Sequence, residues 1–234
     1  MAAYQVVYNK LESILKAVQM KEVMALSEAG REVADSQIAS DRGTITIHGP
    51  VGADYLEALD IDQNLNNFRK ANKQKQSLIE IAKSDDGFIH IAVHNNTLVG
   101  YVTFHRPDAY TRWYKHPLML ELGAIEVSPP WRKYKLGRTL LAHAFSNPIM
   151  EDRIVITLEY CWHWDLENSK LNLWQYQKML TGLFGTVGLE KVQTDDPEIL
   201  ENPANVLMAR VGDNVSPEDF DTFERMRFEG RLIQ

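Results

Sequence analysis

Apolar residues near the start of the chain recur at helical spacing: Val7, Leu11, Ile14, Leu15 and Val18, then Val23, Met24 and Leu26. The spacing predicts one or two amphipathic helices over residues 2–39, broken near Gly30. The period then changes. After Asp41-Arg42-Gly43, the alternation Thr44-Ile45-Thr46-Ile47 reads as a strand ended by Gly49-Pro50. Helices are expected over 55–65 and 74–83. Phe88–His94 and Leu98–Phe104 flank Asn95-Asn96-Thr97, a hairpin signal because asparagine tolerates the left-handed backbone of a tight turn. An irregular, aromatic-rich stretch follows from His105 to Pro117. Then come a central strand over Leu120–Val127, a helix over Leu136–Ser146, a β-branched strand over Ile154–Tyr160, a helix over Ser169–Phe184 and a last strand over Asn205–Val211. Ser216-Pro217-Glu218-Asp219 places a cap, a first-turn proline and two acids at the start of a C-terminal helix.

Mixed strand and helix order predicts an α+β (or α/β) domain on a mixed sheet. We expect a helical extension over 1–42, the main domain over 43–211 and a packed C-terminal helix over 212–234. The 234 residues, 44% of them hydrophobic, suffice for one sizeable core but not for two ordinary domains.

A single cysteine, Cys161, excludes an internal disulfide framework. No targeting pattern is visible at the N-terminus and no apolar run approaches a membrane span, so a soluble cytoplasmic protein is expected. The net charge of −7 argues against nucleic acid as the main partner. The seven histidines show no metal-ligand spacing, and no metal is expected.

Against that acidic background one segment stands out. The strand through Val127 breaks at Pro129-Pro130 into a turn holding Arg132, Lys133, Lys135 and Arg138, and the turn opens a helix. Backbone N–H groups at a helix N-terminus, with basic residues around them, suit an anion. Arg132-x-x-Lys135-x-Gly137, with Val127-x-Pro129 before it and Leu140-Leu141 after it, resembles the acetyl-CoA signature of the GNAT N-acetyltransferases. Gly100-Tyr-Val-Thr103, Glu159-Tyr-Cys-Trp-His-Trp-Asp165 and Pro203-Ala-Asn-Val-Leu-Met-Ala-Arg210 are similar to the acetoin-utilization acetyltransferases of Gram-positive bacteria, a likeness that runs from about Gly43 to the C-terminus. The resemblance implies a GNAT fold, acetyl-CoA as cosubstrate, and a cofactor site formed by Val127, Arg132, Lys133, Tyr134, Lys135, Leu136, Gly137, Arg138 and Thr139. Lys135 departs from the signature by occupying its middle glycine.

Acyl transfer to an amine requires a base to free the amine and an acid for the departing thiolate. Glu121 and Glu126 lie five residues apart and face opposite sides of a regular strand, so both reach one cleft only if a bulge intervenes. In register with the family, Glu121 falls at the base position and Tyr176 on the helix that carries the acid. Tyr160, Trp162, His163 and Trp164 are expected to line the acceptor channel. The resemblance further implies a protein lysine acetyltransferase whose substrate is AMP-forming acetyl-CoA synthetase. A small-molecule amine acetyltransferase and an acetyl-CoA-responsive protein that inhibits its partner by docking are the alternatives.

Overall fold

The computed structural model describes residues 33–229. Most of the expected N-terminal helical extension therefore lies outside the described residues. Its last part is not helical: Ser36–Ser40 forms strand β1, hairpinned to β2 (Gly43–His48) through a turn at Asp41-Arg42. Pairing with β2, which buries Ile45 and Ile47, outweighs the weak apolar periodicity of this stretch.

Helix α1 (Ala53–Ala58) is half as long as the 55–65 pattern suggests, because Asp60–Ile61 (β3) instead pairs in parallel with the start of β5. Helix α2 spans Ala71–Lys83, and β4 (Phe88–His94) and β5 (Thr97–His105) form the expected hairpin. Its turn residues Asn95 and Asn96 have φ of 46° and 63°, the left-handed pair that such a turn demands. Strand β6 covers Met119–Val127, α3 Leu136–Phe145 and β7 Ile154–Glu159. The helix expected over 169–184 is two pieces, α4 (Leu166–Ser169) and α5 (Leu173–Gly185), separated where Lys170 turns left-handed and Asn172 starts a new capping box. Then come β8 (Glu190–Val192), α6 (Pro197–Leu200), β9 (Val206–Val211) and α7 (Pro217–Met226), the last capped by Ser216 as expected.

The described strands make one nine-stranded mixed sheet in the order β1-β2-β4-β5-β6-β7-β9-β8, with β3 beside β5. Neighbours along that order are antiparallel except β6 and β7. On one face α3 buries Leu136, Leu140, Leu141 and Ala144 against Ile45, Val99, Val102 and Phe104. The opposite face carries two clusters, one around α1 and α2 with Tyr101, the other joining Trp113 and Ile156 to Phe223 of α7. The start of the described chain is pinned by two histidines. His143 of α3 hydrogen-bonds the Ala34 carbonyl through Nε2 at 3.2 Å, and His48 meets Asp35 at 2.9 Å.

The parallel pair β6–β7 matters most for the site. It is registered only over Met119–Glu121 and Ile154–Ile156. Past that point β6 stays with β5 and β7 with β9, so the two central strands part and leave a wedge whose vertex is at Glu121.

Candidate active site

At one mouth of the wedge the chain leaves β6 through a 3-10 turn, Pro129–Tyr134, and enters α3 at Leu136. No side chain caps α3, and its first turn holds no acid. The amides of its first three residues, Leu136, Gly137 and Arg138, have no intrahelical acceptor; the next, Thr139, already bonds back to the Lys135 carbonyl at 3.2 Å. A Cβ at Gly137 would meet nothing closer than Leu183 at 3.6 Å. The chain's own packing therefore does not demand glycine there.

The four basic residues of the turn divide into two pairs. Arg132 donates to the Val127 carbonyl at 3.0 Å and to Asp165 at 2.5 Å. Lys133 bonds Asp41 at 2.8 Å and lies 4.8 Å from the centre of the Tyr134 ring. Lys135 and Arg138 are exposed and form no ion pair among the described residues, which leaves them to meet an anion. Leu136 contributes only its amide, because its side chain is fully buried.

Lys135 explains the motif glycine it replaces. Its φ of 58° and ψ of 28° lie in the left-handed region, where a side chain costs about 1 kcal/mol. Lys135→Gly is therefore expected to raise Tm by about 2–4 °C. Its acetyl-CoA affinity should fall by no more than about threefold, the loss of one exposed charge. Thermal melts and calorimetry of the purified variant check both.

On the opposite face of the sheet, Gly123 is an extra residue in β6: Thr103 pairs with Ala124 and Phe104 with Leu122. A Cβ at Gly123 would sit 2.2 Å from the His105 ring, so only glycine fits the bulge under that ring. The expectation that Glu121 and Glu126 face opposite sides is thereby overturned. Glu121 pairs with His105 and Glu126 with Tyr101, four residues apart on β5, so the two carboxylates share the face away from α3.

Their surroundings differ. Glu126 is 6% exposed and saturated: Oε2 accepts from the Tyr101 hydroxyl at 2.6 Å and Oε1 from the Asn67 amide at 2.9 Å. Burial raises its carboxyl, and these donors, with the Asn66 amide and the Arg132 charge, pull it back. Among the described residues no hydrogen bond engages the Glu121 carboxyl. Burial pushes it up to about 7; His105 opposes the rise, while Asp108, Glu159 and Glu198 add to it.

The approach to Glu121 is acidic and aromatic. The Tyr160 hydroxyl donates to Glu198 at 2.7 Å and the Tyr110 hydroxyl to Asp108 at 2.8 Å. Trp162, 52% exposed, stacks on Tyr160 at 4.9 Å, with the His163 ring edge-on beside both. Three of the expected channel residues are thus together. Trp164 is not with them. It is 8% exposed, packed in the α3-side core and stacked on Tyr176 at 5.3 Å. Burial raises the Tyr176 hydroxyl above its ordinary range, so the phenol keeps its proton. Asn67, Tyr101, Asp108, Glu159 and Glu198 were not foreseen as site residues, although Tyr101 and Glu159 lie within segments that carry the family resemblance.

The chain is similar to known proteins over most of its length. A family model described as the acetyltransferase (GNAT) family matches residues 55–153. The chain is 42% identical to the acetoin utilization protein AcuA of Bacillus licheniformis over 84% of its length and 95% of that protein. It is 41% identical to AcuA of Bacillus subtilis over 85% of its length and 95% of that protein. The chain belongs to the GNAT acetyltransferases. A crystal structure of an acetoin utilization protein from Exiguobacterium sibiricum agrees with TM-score 0.81 at 39% identity, covering 86% of this acetyltransferase and 98% of that chain. The expected family and fold are thus confirmed, and as a GNAT N-acetyltransferase the protein uses acetyl-CoA. Among the described residues no helix is long and apolar enough to cross a membrane, and no three His, Cys, Asp or Glu side chains are grouped as a metal site.

Proposed function

We propose that this acetyltransferase transfers the acetyl group of acetyl-CoA to a lysine ε-amine of a protein, and that its acceptor is the AMP-forming acetyl-CoA synthetase, whose acetylation switches it off in acetoin and acetate metabolism in the cytoplasm. The pathway follows the names of the relatives. The single observation that carries the chemistry is Glu121: a carboxyl at the vertex of the wedge that no hydrogen bond engages among the described residues, with its pKa raised to about 7.

A lysine is almost wholly protonated near neutral pH. Glu121 takes its proton, directly or through one water, more effectively than an ordinary carboxylate because its basicity lies nearer the working pH. Acidic and aromatic groups at the mouth attract the ammonium and its aliphatic stem. The exposed amides of α3 with Lys135 and Arg138 hold the cofactor phosphates. Tyr176 gives its proton to the departing thiolate, with Trp164 stacked on its ring to fix the phenol. The exposed aromatic rim formed by Trp162 and Tyr110 favours a protein acceptor over a small amine, which would use a more enclosed site.

Labelled acetyl-CoA, incubated with the enzyme and either acetyl-CoA synthetase or free polyamines, tests the reading. Label on one lysine of the synthetase is expected. Label confined to soluble amines, or binding without transfer, overturns it.

A further inference from the structure

Beyond the wedge vertex, β6 and β7 have no strand pairing to set their separation. Besides Arg132, which joins the Val127 carbonyl to Asp165 on the cofactor side, one residue from neither strand spans the gap. Asn67, in the loop between β3 and α2, donates its amide N–H to Glu126 of β6 and its side-chain Nδ2 to the carbonyl of His163, just past β7, at 3.0 Å. Its neighbour Phe68 meets the His163 ring edge-on at 6.4 Å. The near end of the same loop is tied at Asp62, which accepts from Trp131 Nε1 at 3.2 Å. Glu126 is locked to β5 through Tyr101.

We propose that Asn67 is a positioning residue: it straps the two arms of the wedge at a fixed width on the acceptor side and seats Phe68 and His163 as one wall of the channel, with Glu126 as its anchor. This rests on the acetyltransferase reading above. It gives Glu126 a role other than proton transfer. Both of its carboxylate oxygens are occupied by donors, one fixing it to β5 through Tyr101 and the other holding the loop. Asn67 makes no hydrogen bond to α3 among the described residues, so its loss is expected to act on the acceptor rather than the cofactor.

Asn67→Ala keeps the amide bond to Glu126 and removes the bond to His163. The acceptor KM should rise by about threefold to tenfold, the range of one neutral hydrogen bond. Turnover and calorimetric acetyl-CoA affinity should stay within about twofold. Glu126→Gln retains an acceptor for the Asn67 amide and should resemble wild type, whereas Glu126→Ala should raise the acceptor KM as Asn67→Ala does. Hydrogen exchange in the absence of substrates should quicken over both 62–68 and 161–165 in Asn67→Ala. The proposal is overturned if the acceptor KM is unchanged in Asn67→Ala, or if Glu126→Gln loses turnover as a base would. If the wild-type enzyme acetylates no lysine at all, the functional reading falls, and unchanged exchange over 161–165 in Asn67→Ala would separately discard the strap.

Discussion

Glu121→Gln is expected to lose about 10²–10⁴-fold in turnover while keeping its affinity for acetyl-CoA, because a positioned base contributes in that range and the cofactor amides lie elsewhere. The pH profile adds a signature that a merely structural glutamate lacks. The wild-type rate should rise as Glu121 loses its proton near pH 7, and the Gln variant should lack that limb. Stability should move the opposite way. The folded-state pKa is raised from 4.5 to about 7, so the contribution of the protonated group is fully present below about 4.5 and is lost as pH rises through about 7. Above that pH the inactive Gln variant should melt at a higher temperature than wild type. A variant with normal turnover would show that the base lies elsewhere, and an unshifted Tm would show that the glutamate is not held at a cost.

Gly137→Asp is expected to weaken acetyl-CoA by at least about 100-fold without unfolding the protein. The new carboxylate would stand over the uncapped amides of α3, beside Lys135 and Arg138, where the phosphates would bind. An aspartate in a helical first turn is otherwise favourable, and a Cβ at this position finds its nearest neighbour at 3.6 Å, so Tm should hold or rise. Calorimetric titration together with a melt separates the two effects. Full affinity in the folded variant would remove the turn from the cofactor site.

The parts of this site that follow from local chemistry were legible in the chain. A proline pair, a basic turn and an apolar helix mark the anion site, because each acts within a few residues. The Asn95-Asn96 turn and the Ser216 cap are of the same kind. Whatever depends on neighbours distant in sequence was not legible. The Gly123 bulge exists because the His105 ring lies across it, and β1 exists because β2 offers it an edge. The division of labour between the two glutamates is decided by Tyr101 and Asn67, 25 and 59 residues from Glu126. Nothing in the pattern around Asn67 signals its role.

The β1–β2 hairpin turn has a bearing on where this protein can be cut. Asp41 neutralises Lys133, and Arg42 lies 5.2 Å from the centre of the Trp131 ring, so the tip of the hairpin grips the same turn that feeds α3. A deletion ending at residue 42 would look, from sequence, like trimming a helical leader. It would instead strip a strand from the sheet edge, leave β2 open to pairing with other chains, and release two supports of the cofactor turn. A cut before residue 33 keeps Ala34 on His143, Asp35 on His48 and the hairpin on its turn.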